Sequence, residues 1–335
     1  MRTRSWAARL FLLSSLGSAI AAEPLPRYGA DGAAFTVSGL SAGGYMAVQM
    51  HVAHSSRVSA VGALATGPYY CAQGSLWTAL NECMAPSTSS RLPRWEVLKT
   101  QADRFAREQR VDPTTNLARA RVWLFAGLRD RTVKPEVVAV LERFYISYGT
   151  KPVFIRDKPA GHGMVTENAG SACDASEPPY INDCDYDAAG EMLRHLLGSL
   201  SPPAPKAGGR LIQFDQKAFA ENDAYAISMA DSGYAYIPLA CDTQACSVHV
   251  AFHGCRQGAE TIGEHFVLDA GYNRWADTNR LIVLYPQAIA RYWWIYNPRG
   301  CWDWWGYTGS RYATKEGAQI RAVLGMVERL AQPRK

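Results

Sequence analysis

The sequence predicts an α/β protein with a mostly parallel central sheet, helices on both of its faces, and disulfide cross-links. Three observations carry that expectation. Apolar β-like runs alternate with stretches of helical spacing along most of the chain. A G-x-S-x-G pentapeptide stands between a run of the first kind and a stretch of the second. An even number of cysteines, eight, follows an export-type leader.

In chain order, residues 34–38 read as a short strand and 44–54 as a helix with Met46, Met50 and Ala53 toward one side. Residues 58–65, 121–127 and 153–155 are β-like, and 134–148 has helical spacing. Residues 201–209, rich in proline and glycine, interrupt the pattern as a connector. Strands are then expected at 211–214, 235–238 and 248–252, a helix at 271–279, a strand at 281–285 and an amphipathic helix at 316–330. Strands alternating with helices argue for a parallel sheet covered on both sides. There is no internal repeat and no long low-complexity tract.

The first 22 residues read as a secretory signal peptide: Arg2 and Arg4, an apolar stretch from Trp6 to Leu16, and small residues at Ala19, Ala21 and Ala22. The apolar stretch is far short of the roughly 20 residues that span a bilayer. A secreted mature chain, extracellular or periplasmic, of residues 23–335 is therefore expected, with no membrane insertion. Loss of the three leader arginines takes the formal charge from +5 to about +2. Lysines and arginines are scattered among acids, which argues against a nucleic-acid partner.

In an exported chain the cysteines imply disulfides. They fall into near-neighbour pairs, Cys71 with Cys83, Cys173 with Cys184 and Cys241 with Cys246, leaving Cys255 and Cys301. No C-x-x-C occurs and no histidine stands at finger spacing, so no metal site is expected.

Gly39-Leu40-Ser41-Ala42-Gly43 has the form of a nucleophile elbow, a tight strand-to-helix turn that lifts a serine hydroxyl clear of the sheet. A serine needs a histidine to take its proton, and the histidine needs a carboxylate to fix its tautomer. In α/β-hydrolases these follow in the order serine, acid, histidine. Asp130, just beyond a buried-type strand, and His162, in the small-residue loop Ala160-Gly161-His162-Gly163, supply that order. The bland alternative for Asp130 is a helix N-terminal acid before Pro135. His51, His54 and His195 fall on helices, His249 in a strand and His265 in a polar stretch. His51-x-x-His54 has no evident third ligand.

His253-Gly254-Cys255-Arg256-Gln257 follows the strand expected at 248–252, where such folds carry the oxyanion loop. The backbone N–H groups of Ala42 and Cys255 are the expected donors. That loop normally precedes the serine, whereas here it follows His162 by about ninety positions.

These motifs, with Gly271-Tyr272-Asn273-Arg274-Trp275-Ala276-Asp277 and Gly300-Cys301-Trp302-Asp303-Trp304-Trp305-Gly306-Tyr307, resemble the polyhydroxybutyrate depolymerases, in particular their single-domain, circularly permuted branch. The resemblance spans nearly the whole mature chain. It implies a permuted α/β-hydrolase fold in one domain, residues 201–209 bridging what are elsewhere the two ends, and it accounts for the displaced loop. It implies a serine esterase without cofactor, acting on polyhydroxybutyrate and its oligomers. Many extracellular members carry a polymer-binding module after a linker, while this chain ends soon after its last helix, so action on crystalline polymer is not implied.

Five of the ten tryptophans lie between positions 293 and 305. Asn297, Arg299 and Gly300 interrupt this run like a loop, so Trp302, Trp305 and Tyr307 are expected to line the polyester site. A feruloyl or acetylxylan esterase is the competing enzyme, and a non-catalytic polymer-binding protein the competing class.

Overall fold

A computed structural model describes residues 22–221 and 223–334. The leader expected at 1–22 lies outside these residues except for Ala22. Eleven strands and nine α-helices are formed among them. The first half runs β1 (Asp31–Leu40), α1 (Ala42–Ala53), β2 (Val58–Leu64), α2 (Leu76–Asn81), α3 (Trp95–Arg107), β3 (Arg121–Phe125), α4 (Pro135–Ile146) and β4 (Val153–Ile155). Three very short strands follow, β5 (Met164–Thr166), β6 (Ser171–Ala172) and β7 (Ile181–Asp183), then α5 (Ala188–Leu197). After the connector come β8 (Arg210–Asp215), β9 (Ser232–Ile237), β10 (Ser247–Phe252), α6 (Ala259–Ile262), α7 (His265–Asp269), α8 (Tyr272–Asn279), β11 (Leu281–Tyr285) and α9 (Ala318–Ala331).

One eight-stranded sheet runs through both halves in the order β4-β3-β2-β1-β10-β11-β9-β8. Only β8 and β9 run antiparallel to their neighbours. The halves meet where β1 pairs with β10, Gly39 opposite Phe252, so the chain's most distant motifs share one sheet edge.

Strand side chains alternate between two cores, as a sheet covered on both faces requires. Val122 and Leu124 of β3, with Val248, Val250 and Phe252 of β10, join α1, α3 and α9 in one core. Trp123 and Phe125 of β3, with Val283 and Tyr285 of β11, join α5, α7 and α8 in the other. The second core also holds a polar thread: His249 bridges Thr36 and Ser38 of β1 at 2.7 Å each, and Ser38 reaches the Tyr272 hydroxyl at 2.8 Å.

All twelve residues of α1 are buried, so it has no solvent face of the kind the sequence pattern suggested. Met46, Met50 and Ala53 are buried, and so is every other residue of the helix, so no polar face opposes them. The strand at 153–155 and the final helix occur as expected, the latter two residues later at its start.

Candidate active site

The three loops that follow β1, β3 and β4 all open at the carboxyl edge of the sheet. Backbone hydrogen bonds stitch that edge together: Ser41 N–H to Leu64 O at 2.9 Å, Ala65 N–H to Phe125 O at 2.9 Å, and Ala126 N–H to Ile155 O at 3.0 Å. Residues placed just beyond these strands therefore hold fixed relative positions.

Ser41 has φ 56° and ψ −121°, a left-handed conformation that costs a non-glycine residue about 1–3 kcal/mol. It is tolerated because glycines stand two positions away on either side, at Gly39 and Gly43, where the turn packs backbone against backbone. A side chain at Gly39 would run into the Gly43 carbonyl, and one at Gly43 into the carbonyls of Phe252 and His253. Gly43 thus lets the end of β10 approach the start of α1. Ser41 itself is 7% exposed.

Asp130 and His162 come together across 32 residues of sequence. His162 Nδ1 lies 2.8 Å from Asp130 Oδ2. A carboxylate can only accept, so Nδ1 carries the proton and Nε2 is left as an acceptor in the neutral ring. Asp130 Oδ1 accepts from the backbone N–H groups of Thr132 and Val133, which fixes the carboxylate plane. The His162 loop is held by Gly161 N–H to Cys173 O at 2.8 Å and His162 N–H to Ser176 Oγ at 2.9 Å. Cys173 is itself bonded to Cys184. The helix-cap reading of Asp130 fails, because α4 begins five residues later behind Lys134.

The loop after β10 presents three successive amides in different states. Gly254 N–H donates to Gln257 Oε1 at 2.8 Å, and Arg256 N–H donates to Arg299 O at 2.7 Å. Cys255 N–H, between them, has no acceptor among the described residues. Gln257 is buried and also donates to Tyr180 O at 2.9 Å, which anchors the loop to the strand region behind His162. His253 accepts the Ala288 N–H at Nε2 (3.0 Å) and donates from Nδ1 to Gly254 O (2.7 Å). Burial pushes its pKa down to about 4, so it stays neutral as these bonds demand. Ala42 N–H, at the first turn of α1, also lacks an intrahelical partner.

Ser41 and Cys255 open on a cleft of about 260 Å³ lined also by Tyr45, Leu76, Leu80, Tyr296, Trp304 and Trp305, while Asp130 and His162 stand outside its lining. Tyr45 and Trp304 stack with ring centres 4.1 Å apart and planes 7° from parallel. Tyr45 stands one helical turn after Ser41, and side chains on a helix lean back toward its N-terminus. That spacing was the available signal for Tyr45, which sequence reasoning missed together with Trp304.

All four cysteine pairs form as expected: Cys71–Cys83, Cys173–Cys184, Cys241–Cys246 and Cys255–Cys301. Trp305 lines the cleft. Trp302 does not. It is fully buried, packed 5.1 Å from Phe252 and 5.5 Å from His253, because the chain turns inward after Cys301. Tyr307 is also outside the cleft lining: its hydroxyl donates to Cys301 O at 2.7 Å and its ring packs on Trp305. Between them Asp303, whose carboxyl is raised by burial, accepts from the N–H groups of Gly306, Tyr307 and Thr308 and shapes the turn. The exposed aromatics lie earlier, at Tyr292, Trp293, Trp294 and Tyr296.

No protein-family model matches the chain. It is 36% identical over 339 residues to the polyhydroxybutyrate depolymerase of Talaromyces funiculosus, covering 95% of this chain and 96% of that protein. The chain belongs to the polyhydroxybutyrate depolymerase family. It is also 40% identical over 327 residues to the poly(3-hydroxybutyrate) depolymerase of Delftia acidovorans, covering 95% of this chain but spanning only 64% of that protein's length. Among solved structures, the PHB depolymerase from Penicillium funiculosum superposes with TM-score 0.84 at 32% identity, covering 92% of this chain and 98% of the other. A serine-to-alanine PHB depolymerase variant complexed with an R3HB trimer superposes with TM-score 0.83 at 33% identity, over 92% and 98% of the two chains. The depolymerase fold is therefore the fold of this chain, with its mixed, mostly parallel sheet.

Proposed function

We propose that the chain is a serine esterase that hydrolyses the ester bonds of poly(3-hydroxybutyrate), with Ser41 as nucleophile, His162 as general base and Asp130 as the group that orients it. The observation that carries this reading is the Asp130–His162 pair at the sheet edge that also presents Ser41 in its strained turn. Ser41 Oγ attacks the ester carbonyl as its proton passes to His162 Nε2. The oxyanion so formed accepts from the N–H groups of Ala42 and Cys255, neither of which has an acceptor among the described residues. His162 then gives the proton to the departing hydroxyl end, and water cleaves the acyl-enzyme by the same route reversed. Each cycle consumes one water and yields one hydroxyl and one carboxylate end.

The apolar cleft suits a chain of methyl-bearing repeats, and Trp304, Trp305 and Tyr45 are its contact surfaces. The exposed aromatics from Tyr292 to Tyr296, with Trp77, extend that surface outward toward bulk polymer. Four disulfides support an oxidising compartment, in keeping with secretion. No helix among the described residues is long and apolar enough to cross a membrane. One continuous sheet supports a single catalytic domain.

The test compares clearing of poly(3-hydroxybutyrate) suspensions with release of ferulate or acetate from xylan by the same preparation. Clearing without ferulate or acetate release is expected. The opposite pattern would assign the esterase to plant polysaccharide.

A further inference from the structure

The cleft is largely apolar except at one side of its mouth. Of the residues lining it, Arg299 alone is charged. Arg256, next to Cys255, lies directly against Arg299 through the hydrogen bond from Arg256 N–H to Arg299 O at 2.7 Å. The Cys255–Cys301 disulfide, with Cα atoms 4.2 Å apart, clamps the same two segments together. Both arginines are exposed, and neither joins an ion pair among the described residues. Arg129, Arg210 and Arg311 are paired with Asp174, Asp242 and Glu316, whereas Arg256 and Arg299 join other exposed arginines unpaired among the described residues, such as Arg107 and Arg131, and differ from these by their place at the cleft.

Arg299 lines the cleft and Arg256 is joined to it backbone to backbone, both without an ion-pair partner among the described residues, and the two positive charges form a field that an anion completes. The anion chemically bound to arrive there is a carboxylate, because every polyester fragment ends in one. We propose that Arg256 and Arg299 bind the free carboxylate end of hydroxyalkanoate oligomers, so that short acidic chains are drawn in and held by that end. This rests on the esterase reading above. It assigns the mouth of the cleft a preference for oligomers over equally apolar neutral esters.

The test measures kcat/KM for the linear (R)-3-hydroxybutyrate trimer and for its methyl ester, which differ only in the charge at one end. The ratio of acid to methyl ester is the readout. Replacing both arginines, Arg256→Gln with Arg299→Gln, should lower that ratio about 5-fold or more. Raising NaCl from 0.05 to about 1 M should lower it in the unaltered enzyme, since screening shortens the reach of exposed charges to about 3 Å. The salt series needs no variant, so a folding defect leaves the proposal testable. A ratio unmoved by both changes overturns it. Failure of the unaltered enzyme to cleave either trimer would instead overturn the esterase reading on which it rests.

Discussion

Asp130 uses both carboxylate oxygens at once: Oδ2 takes the His162 Nδ1–H at 2.8 Å while Oδ1 takes two backbone N–H groups at 2.8 and 2.9 Å. In Asp130→Asn the amide oxygen satisfies the backbone pair, so its NH₂ faces His162 and forces the wrong tautomer. Short-chain ester turnover should fall by about 10⁴-fold with an unchanged circular dichroism spectrum. A loss below tenfold would remove Asp130 from the catalytic set.

Trp302 and Trp294 should respond in opposite ways. Trp302→Ala empties a buried site beside Phe252 and His253 and should cost about 3–5 kcal/mol of stability, with equal losses on polymer and soluble ester. Trp294, fully exposed, should melt normally as Trp294→Ala yet clear polymer more slowly. Thermal melts alongside the two assays separate these outcomes, and a polymer-selective loss in Trp302→Ala would contradict the packing account.

That reversal shows where sequence reasoning stopped. The serine turn was legible because Gly39 and Gly43 flank Ser41 within one strand-helix junction, and His162 because glycines flank it in a loop. The aromatic run from 292 to 307 was not, since tryptophans crowd into cores and onto binding surfaces alike. What decides between them is the inward turn at Cys301, set by Asn297 Nδ2 donating to Cys301 O and by the bond to Cys255. The strands β5 to β7 are two or three residues long, too short to show alternation, yet their segment holds His162. The adjacency of β1 and β10 depends on pairing across more than two hundred residues, which no local pattern records.

The Cys255–Cys301 bond ties the candidate oxyanion amide to the turn that presents Trp304. Cys301→Ser should lower the melting temperature, since closing a 46-residue separation is worth about 4 kcal/mol. It should also reduce turnover about 10-fold at a temperature where the variant is folded, because a misplaced donor weakens transition-state stabilisation. Unchanged turnover would make the bond a staple only.

Acid should destabilise the fold through four buried histidines. Desolvation lowers His51 and His249 to about 3 and His54 and His253 to about 4, from about 6.5 when unfolded. Their folded values are depressed, so the unfolded chain binds more protons between those limits. Stability is full above about pH 6.5 and declines as pH falls toward 4, by up to about 1.4 kcal/mol per unit for each histidine. Melting temperatures at pH 7.5, 6 and 5 should drop in that order, and a flat series would contradict the burial of these rings.

All of the proposed chemistry starts at the Ser41 hydroxyl, which Ser41→Ala removes. The variant should adsorb to poly(3-hydroxybutyrate) and melt like the unaltered chain, because removing one hydroxyl that makes no hydrogen bond among the described residues leaves the packing intact. Its kcat on a chromogenic short-chain ester should fall by about 10⁴-fold or more. Retention of a tenth of the original turnover would place the nucleophile elsewhere.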